Sequence, residues 1–147
     1  MNAIALFINT FFYVGKIPVA PGTTGSLVAL ILWFFLNPTV YTMMLLLIFT
    51  ILFSYYTISI TLSNLDEKDP QYIVIDEVIG MWIALMFIPA NSVFNVSVAF
   101  ILFRFFDIMK PSIIYRSQFI SATWGILLDD IIAGSISGLI VFGIASI

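Results

Sequence analysis

The chain has 147 residues, of which 62% are hydrophobic and 9% charged, with a formal net charge of −3 and a mean hydropathy of +1.16. Because so few polar side chains cannot cover the surface of a globule in water, the composition excludes a water-soluble protein and predicts an integral membrane protein. The chain has no cysteine and no histidine, which excludes disulfides, thiolate or imidazole metal ligands and histidine bases, and it has no basic stripe for nucleic acid. Its chemistry must therefore rest on carboxylates, lysine, arginine and hydroxyl groups.

The apolar segments predict an all-α fold in a single domain, 1–147: a compact bundle of about four to five transmembrane helices plus a short N-terminal interfacial helix. In chain order, the interfacial helix is 1–14, a proline- and glycine-rich loop is 16–25, and a short helix that spans or re-enters the membrane is 26–36. Further helices are expected at 39–62, 73–88, 93–109 and 124–147, separated by a turn at Asn37, polar loops at 63–72 and 112–123, and a turn at 89–92. Helix 39–62 has the length and apolarity of a complete span.

Five acidic residues interrupt the apolar helices. An Asp at the centre of a membrane helix costs roughly 2.5–3.5 kcal/mol, so such residues face a protein interior or a wet cavity. They are Asp76, Glu77, Asp107, Asp129 and Asp130. At 1.5 Å of rise per residue, all five lie within roughly 10 Å of one depth if the helices alternate in direction. The sequence therefore predicts a single acidic cluster, whereas residues 66–69 are interpreted as solvated surface.

The basic residues predict which way this cluster faces. With alternating helices, Lys16, Lys68, Lys110 and Arg116 fall on one side of the membrane, and the turns on the other side carry no Lys or Arg. The positive-inside rule makes the charged side cytoplasmic. We therefore expect the site to open towards the cytoplasmic leaflet.

Two cations and a glycine-rich segment are candidate partners for the acids. Arg104, Asp107 and Lys110 recur at i, i+3 and i+6 on one helix face, although Lys110 alone is equally well explained as an interfacial snorkelling residue. Residues 20–26, A-P-G-T-T-G-S, open a helix with glycines and hydroxyls, a pattern that suits anion binding through free backbone N–H groups. An ordinary N-cap is the alternative explanation. Gly134-x-x-x-Gly138 predicts close packing with a neighbouring helix.

These residue types favour phosphoryl transfer on a lipid. Oxygen ligands without nitrogen or sulfur suit Mg²⁺, which works with carboxylates and substrate phosphate. Arginine and lysine would complete the clamp on the phosphate, and one carboxylate would activate water. A cation- or proton-coupled small membrane transporter is the alternative, but coupling sites lie near the bilayer midplane, whereas these acids gather at one interface. A structural subunit is disfavoured by the cost of five buried acids.

Four segments resemble the motifs of the bacterial phosphatidylglycerophosphatase A family. They are V-A-P-G-T-T-G-S-L (19–27), I-V-I-D-E-V-I-G-M-W-I-A (73–84), F-R-F-F-D-I-M-K-P (103–111) and W-G-I-L-L-D-D-I-I-A-G (124–134). The resemblance spans nearly the whole chain. It departs from the family pattern at Lys16-Ile17-Pro18, where smaller neutral residues are expected before the glycine segment. A CDP-alcohol phosphotransferase is the other enzyme considered, but its D-G-x-x-A-R signature is missing.

The resemblance implies a multi-pass, Mg²⁺-dependent phosphatase of the bacterial cytoplasmic membrane that converts phosphatidylglycerophosphate to phosphatidylglycerol and phosphate. Its implied catalytic residues are Asp76, Glu77, Asp129 and Asp130. The metal ligands are expected among these four and Asp107, and the phosphate-binding residues are Thr23, Thr24, Ser26, Arg104 and Lys110, with Gly22 and Gly25 in the same segment. We expect direct attack by a metal-bound water with Glu77 or Asp76 as base and Asp129, Asp130 and Asp107 as leading ligands; an aspartyl-phosphate intermediate is the alternative.

Overall fold

The computed structural model describes residues 3–63, 65, 70–88 and 92–146, and every regular element in these ranges is helical. The elements are α1 (Ala3–Asn9), a 3-10 helix (Val14–Lys16), α2 (Pro21–Leu36), α3 (Val40–Leu62), α4 (Ile75–Met86), α5 (Val93–Met109), α6 (Ser112–Ser117) and α7 (Ala122–Ala145). The all-α prediction is confirmed. The predicted surface residues 66–69, the basic residue Lys68 among them, and the turn residues 89–91 lie outside the described ranges.

Helix α4 lies at the centre of the bundle. It packs against α2, α3, α5 and α7, and nine of its 12 residues are buried. Its indole-bearing residue Trp82 donates a hydrogen bond to the backbone oxygen of Ala29 in α2, at 3.0 Å. The acidic helix is therefore enclosed by its neighbours, which is how a helix with two adjacent carboxylates is kept away from lipid.

Glycines bring α4 and α7 into backbone contact. A Cβ added at Gly134 would overlap the backbone oxygen of Gly80, and one added at Gly80 would lie 2.7 Å from the backbone oxygen of Asp130. One turn further along, a Cβ at Gly138 would lie 2.6 Å from a ring carbon of Phe87. The close-packing seam predicted at Gly134 and Gly138 is confirmed, and its partner is α4.

The outer surface is apolar, as expected for a membrane protein. Large apolar side chains stand exposed on several helices, among them Phe35 at 84% and Leu45 at 70% exposure. Helices α3 and α7, with 23 and 24 residues, are long and apolar enough to cross a membrane. The predicted number of four to five spans is not confirmed, because α2, α4 and α5 have 16, 12 and 17 residues, short of the roughly 20 that a full span needs.

The structure corrects two predicted loops. Residues 21–25, assigned to a loop, form the first turn and a half of α2, which begins at Pro21. Proline fits the first helical position because its fixed φ is helical and its missing N–H would have no intrahelical partner there. The predicted loop 112–123 contains α6 and the first residues of α7.

The N-terminal segment is tied to the bundle by buried polar groups, in addition to its apolar contacts. Helix α1 is shorter than predicted and ends at Asn9, whose side chain is fully buried. The Asn9 amide donates to Thr61 Oγ1 at 2.9 Å and accepts from Thr57 Oγ1 at 2.6 Å, both on α3. Its backbone oxygen accepts from the N–H of Val74 at 2.9 Å. The segment therefore fixes the residue that precedes α4, and with it the start of the acidic helix.

Candidate active site

Four segments converge on one cavity of about 470 Å³. They are the start of α2, the start of α4, the end of α5 and the second and third turns of α7. The cavity is lined by all five predicted acids and both predicted cations: Asp76, Glu77, Asp107, Asp129, Asp130, Arg104 and Lys110. We call it the acidic cavity. All five acids, from the three helices to which the sequence assigned them, line this one cavity.

Three of the acids form a compact group. Oxygen atoms of Asp76, Glu77 and Asp130 all lie within 4.8 Å of one another. Adjacent residues of a helix point about 100° apart, so Asp130 turns towards α4 while its neighbour Asp129 turns elsewhere. The backbone contact between Gly80 and Gly134 holds the two helices close enough for the three carboxylates to meet.

The donor set of this group fits a hard divalent cation. Within the described part of the chain, the buried oxygens Glu77 Oε2 and Asp130 Oδ1 have no hydrogen-bond partner. Buried carboxylate oxygens normally accept hydrogen bonds or coordinate a metal, because leaving them bare is costly. A group of oxygen ligands without nitrogen or sulfur is what Mg²⁺ prefers.

The other two acids are each paired with a cation. Arg104 Nη1 lies 2.6 Å from Asp107 Oδ2, an i, i+3 pair on α5. Lys110 Nζ contacts Asp129 Oδ2 across the gap between α5 and α7, and the Gln118 amide donates to the same oxygen at 2.9 Å. Asp107 and Asp129, two of the expected leading metal ligands, thus lie on the cavity wall but outside the compact group of three.

Lys110 stays positively charged in this setting. Burial disfavours the ammonium form, but the hydrogen bond to Asp129 and the charges of Asp129, Asp130 and Asp107 outweigh it and raise the pKa of Lys110 above its usual value. Lys110 is the residue that ends α5, with a left-handed backbone at φ 42°. The structure pairs it with a carboxylate rather than extending it to the membrane surface as a snorkelling residue.

The predicted hydroxyls of the glycine segment occupy three different environments. Thr23 lines the acidic cavity. Ser26 is fully buried; its hydroxyl donates to the Gly22 backbone oxygen at 2.8 Å and accepts from Arg104 Nη1 at 3.3 Å. Thr24 donates to the backbone oxygen of Ala20 at 3.1 Å. Thr23 therefore faces the cavity, Ser26 supports the arginine from behind, and Thr24 bonds within its own turn.

Gly22 permits the close approach of two helices at the cavity. A Cβ at this position would overlap Glu77 Oε1 and lie 3.2 Å from Arg104 Nη2. Only a residue without a side chain lets the first turn of α2 lie against both charged groups. Gly25, by contrast, packs against Val74.

Gln118 and Gln71 also belong to the site and were not among the residues predicted from the sequence. Gln71 lines the acidic cavity, and Gln118 binds Asp129. Both lie in stretches interpreted as polar loops, where a glutamine has no distinguishing context. The one available signal for Gln118 is its position just before an acid-bearing helix.

The apolar exterior and the acid-lined cavity are those of a helical membrane protein with a buried acidic group that could hold a metal ion. The chain belongs to the Phosphatidylglycerophosphatase A family, whose profile matches residues 7–145. The resemblance of the four motifs is thereby confirmed. No solved structure matches the chain significantly.

Relatives of known name cover most of the chain. Phosphatidylglycerophosphatase A of Escherichia coli K12 is 37% identical over 87% of this chain and 76% of its own length. The Haemophilus influenzae protein of the same name is 38% identical over 88% of this chain and 82% of its own. A Bacteroides thetaiotaomicron protein named "putative phosphatidylinositol-3-phosphatase" is 34% identical over 94% of this chain and 91% of its own.

Proposed function

We propose that the protein hydrolyses the terminal phosphate monoester of phosphatidylglycerophosphate, giving phosphatidylglycerol and inorganic phosphate. The observation that carries the proposal is the compact group Asp76, Glu77 and Asp130 facing two cations across one cavity, in a member of the Phosphatidylglycerophosphatase A family. A transporter has less support, because the five acids of the described ranges all line one cavity at one end of the bundle.

The same three carboxylates are the proposed ligands of Mg²⁺. Their bare oxygens on Glu77 and Asp130 supply the negative charge that such an ion neutralises. When bound, the ion would offset the charge of the phosphate and polarise its phosphorus–oxygen bonds. Asp107 and Asp129 are proposed to orient Arg104 and Lys110 towards the phosphate, since each is already paired with one of these cations.

Side chains of the cavity are proposed to bind the phosphate and to transfer the proton. Arg104, Lys110 and Thr23 bind the phosphate oxygens, and the carboxylate of Glu77 or Asp76 takes a proton from the attacking water. The water oxygen forms a bond to phosphorus as the bond to the glycerol oxygen breaks, and the carboxyl group returns the proton to that oxygen. One water is consumed, and the products are an alcohol and inorganic phosphate. Recovery of a phosphorylated aspartate from quenched, labelled turnover would replace this route with the aspartyl-phosphate one.

The test is phosphate release from phosphatidylglycerophosphate by the purified wild type and the Asp130→Asn variant, each with Mg²⁺ and with a chelator. We expect release only from the wild type with Mg²⁺. Asn keeps the size of the side chain but removes the charge, so a folded variant isolates the contribution of the carboxylate. Full activity of Asp130→Asn, or of the wild type in chelator, would contradict the proposed site.

Phosphatidylinositol 3-phosphate is the second candidate substrate, favoured by the name and the long coverage of the Bacteroides thetaiotaomicron relative. Both lipids carry a phosphate monoester on a polyol that a phosphodiester joins to diacylglycerol. The same phosphate-release assay with both lipids compares their kcat/KM values directly. We expect phosphatidylglycerophosphate to be preferred, because two relatives with higher identity are named Phosphatidylglycerophosphatase A.

We further propose a single domain of several spans in the bacterial cytoplasmic membrane, with the acidic cavity towards the cytoplasm. The described basic residues Lys16, Lys110 and Arg116 support this orientation through the positive-inside rule. Helices α2 and α5, of 16 and 17 residues, would cross a locally thinned bilayer beside α3 and α7. Their length of about 24–26 Å is a few Å short of the usual hydrocarbon thickness.

A further inference from the structure

A second cavity of about 370 Å³ adjoins the acidic cavity and is used by no step above. It lies where the turn after α6 meets the start of α7. Ile126 and Asp129 line both cavities, so the two share a wall that contains a carboxylate. Its volume falls in the range of small-molecule pockets, roughly 300–1,000 Å³.

The wall of this second cavity is polar at defined positions. It includes the amide of Gln118, the hydroxyl-bearing residue Ser121 and the carboxylate of Asp129. Gly125 lets the backbone at Gln118 pack directly against α7, because a Cβ at Gly125 would lie 2.5 Å from the backbone oxygen of Gln118. The Gln118 side chain is thereby held where its amide donates to Asp129.

The three polar groups suit the hydroxyls of a polyol, and the apolar residues Phe119, Ala122 and Ile126 between them suit its carbon skeleton. An amide offers two N–H donors and a carbonyl acceptor, and a carboxylate accepts several hydrogen bonds. Packing hydrocarbon against the three polar groups would remove their water without replacing its hydrogen bonds, which is unfavourable. The apolar exterior of α3 and α5 already provides a surface for acyl chains.

We propose that the second cavity receives the polyol part of the leaving lipid, the part next to the scissile phosphate, with Gln118 and Asp129 contacting its hydroxyls. This inference rests on the proposed function, which places the scissile phosphate in the acidic cavity beside Asp129. The part of the lipid attached to that phosphate would then extend past Asp129 and Ile126, which line both cavities, into the second cavity. Gln118 is then a specificity-determining residue that recognises a polyol between phosphate and diacylglycerol.

The test narrows the second cavity at a position that does not line the acidic cavity. Ala122 is an exposed residue at the start of α7 that lines the second cavity and not the acidic one. The variants are Ala122→Leu and the larger Ala122→Phe, and the matched control is Ala145→Leu, an exposed alanine at the other end of the same helix. The measured quantities are KM for phosphatidylglycerophosphate and Ki for inorganic phosphate, which needs only the acidic cavity.

We expect KM to rise about tenfold in Ala122→Leu and further in Ala122→Phe, while Ki for phosphate changes less than twofold and Ala145→Leu matches the wild type. Unchanged KM in both variants would overturn the inference. Equal rises in KM and Ki would also overturn it, because the effect would then lie in the acidic cavity. If the wild type releases no phosphate from the lipid, the proposed function itself is refuted. That result is distinct from a failure of this inference, which appears only as a difference between the variants and an active wild type.

Discussion

Arg104 joins the glycine segment of α2 to Asp107, the one acid of α5. Its guanidinium bonds Asp107 and Ser26 with the same nitrogen, Nη1, while Nη2 lies next to Gly22. A planar group with five donors can hold these two partners and still present N–H groups to a phosphate, which a single ammonium cannot do.

Arg104→Lys keeps the charge but removes this geometry. We expect kcat/KM for phosphatidylglycerophosphate to fall about a hundredfold, the loss that follows removal of one well-placed donor. The control is Arg116→Lys, at an exposed position on α6, which should retain wild-type activity. Equal activity of the two variants would show that charge alone suffices at Arg104.

A substitution at Gly22 tests whether the position of the Glu77 carboxylate is important for activity. In Gly22→Ala the new methyl group displaces the Glu77 carboxylate from Asp76 and Asp130. Because the far end of a flexible side chain moves easily, we expect little loss of thermal stability but about a hundredfold loss of kcat. In Gly143→Ala the methyl group meets nothing within 4 Å, so this variant reports any general effect of the substitution. A Gly22→Ala enzyme with full activity would remove Glu77 from the proposed metal site.

At this scale the sequence identifies the charged residues and the i, i+3 pair of Arg104 and Asp107 on α5, but not the partners that lie on different helices. The cost of acids in apolar helices is enough to single out Asp129 and Asp130. Which of them meets Lys110 and which meets the acids of α4 depends on the rotation of α7 about its axis, and both rotations satisfy the same apolar pattern. The assignment requires the contact between Gly80 and Gly134, which only the packed structure reveals.

Helix packing sets the spacing of the acids. The backbones of α4 and α7 touch at Gly80 and Gly134, one turn from Asp76, Glu77 and Asp130. In Gly134→Ala the added methyl group meets backbone, which cannot swing aside, so the two helices must separate.

We expect Gly134→Ala to lose about 1–3 kcal/mol of stability, the usual cost of overpacking, together with most of its phosphatase activity. Thermal unfolding in detergent and phosphate release measure the two effects. Gly143→Ala on the same helix again provides the comparison. A stable but inactive variant would also agree with the structure, whereas a stable and fully active one would contradict the close contact.

Elements were predicted well where composition alone decides them. Helix α5 begins and ends at the predicted residues, and α3 differs by one residue at its start. The first turn of α2 was assigned to a loop because Pro21, Gly22 and Gly25 are turn residues in most contexts. Here the proline opens the helix and the glycines permit contact with α4 and α5, functions that a local pattern cannot distinguish from a loop.

The orientation of the whole molecule in the membrane can be measured cleanly because the chain has no cysteine. Ile17, 42% exposed, directly precedes Pro18, which lines the acidic cavity. The exposed residue Ser146 follows the far end of α7. We expect a membrane-impermeant maleimide added to intact cells to label Ser146→Cys and not Ile17→Cys. In inside-out vesicles the pattern should reverse, and the opposite result in both preparations would place the cavity outside.

The enclosure of α4 has a consequence for how the protein is made. A helix of 12 residues with two carboxylates is too short and too polar to enter the bilayer as an independent segment. The backbone contact at Gly80 and the third carboxylate of the compact group, Asp130, both depend on α7, which follows α4 and α5 in the chain. We therefore expect nascent chains that end before α7 to leave α4 exposed to membrane quality-control proteases, and the site to form only after α7 has been synthesised.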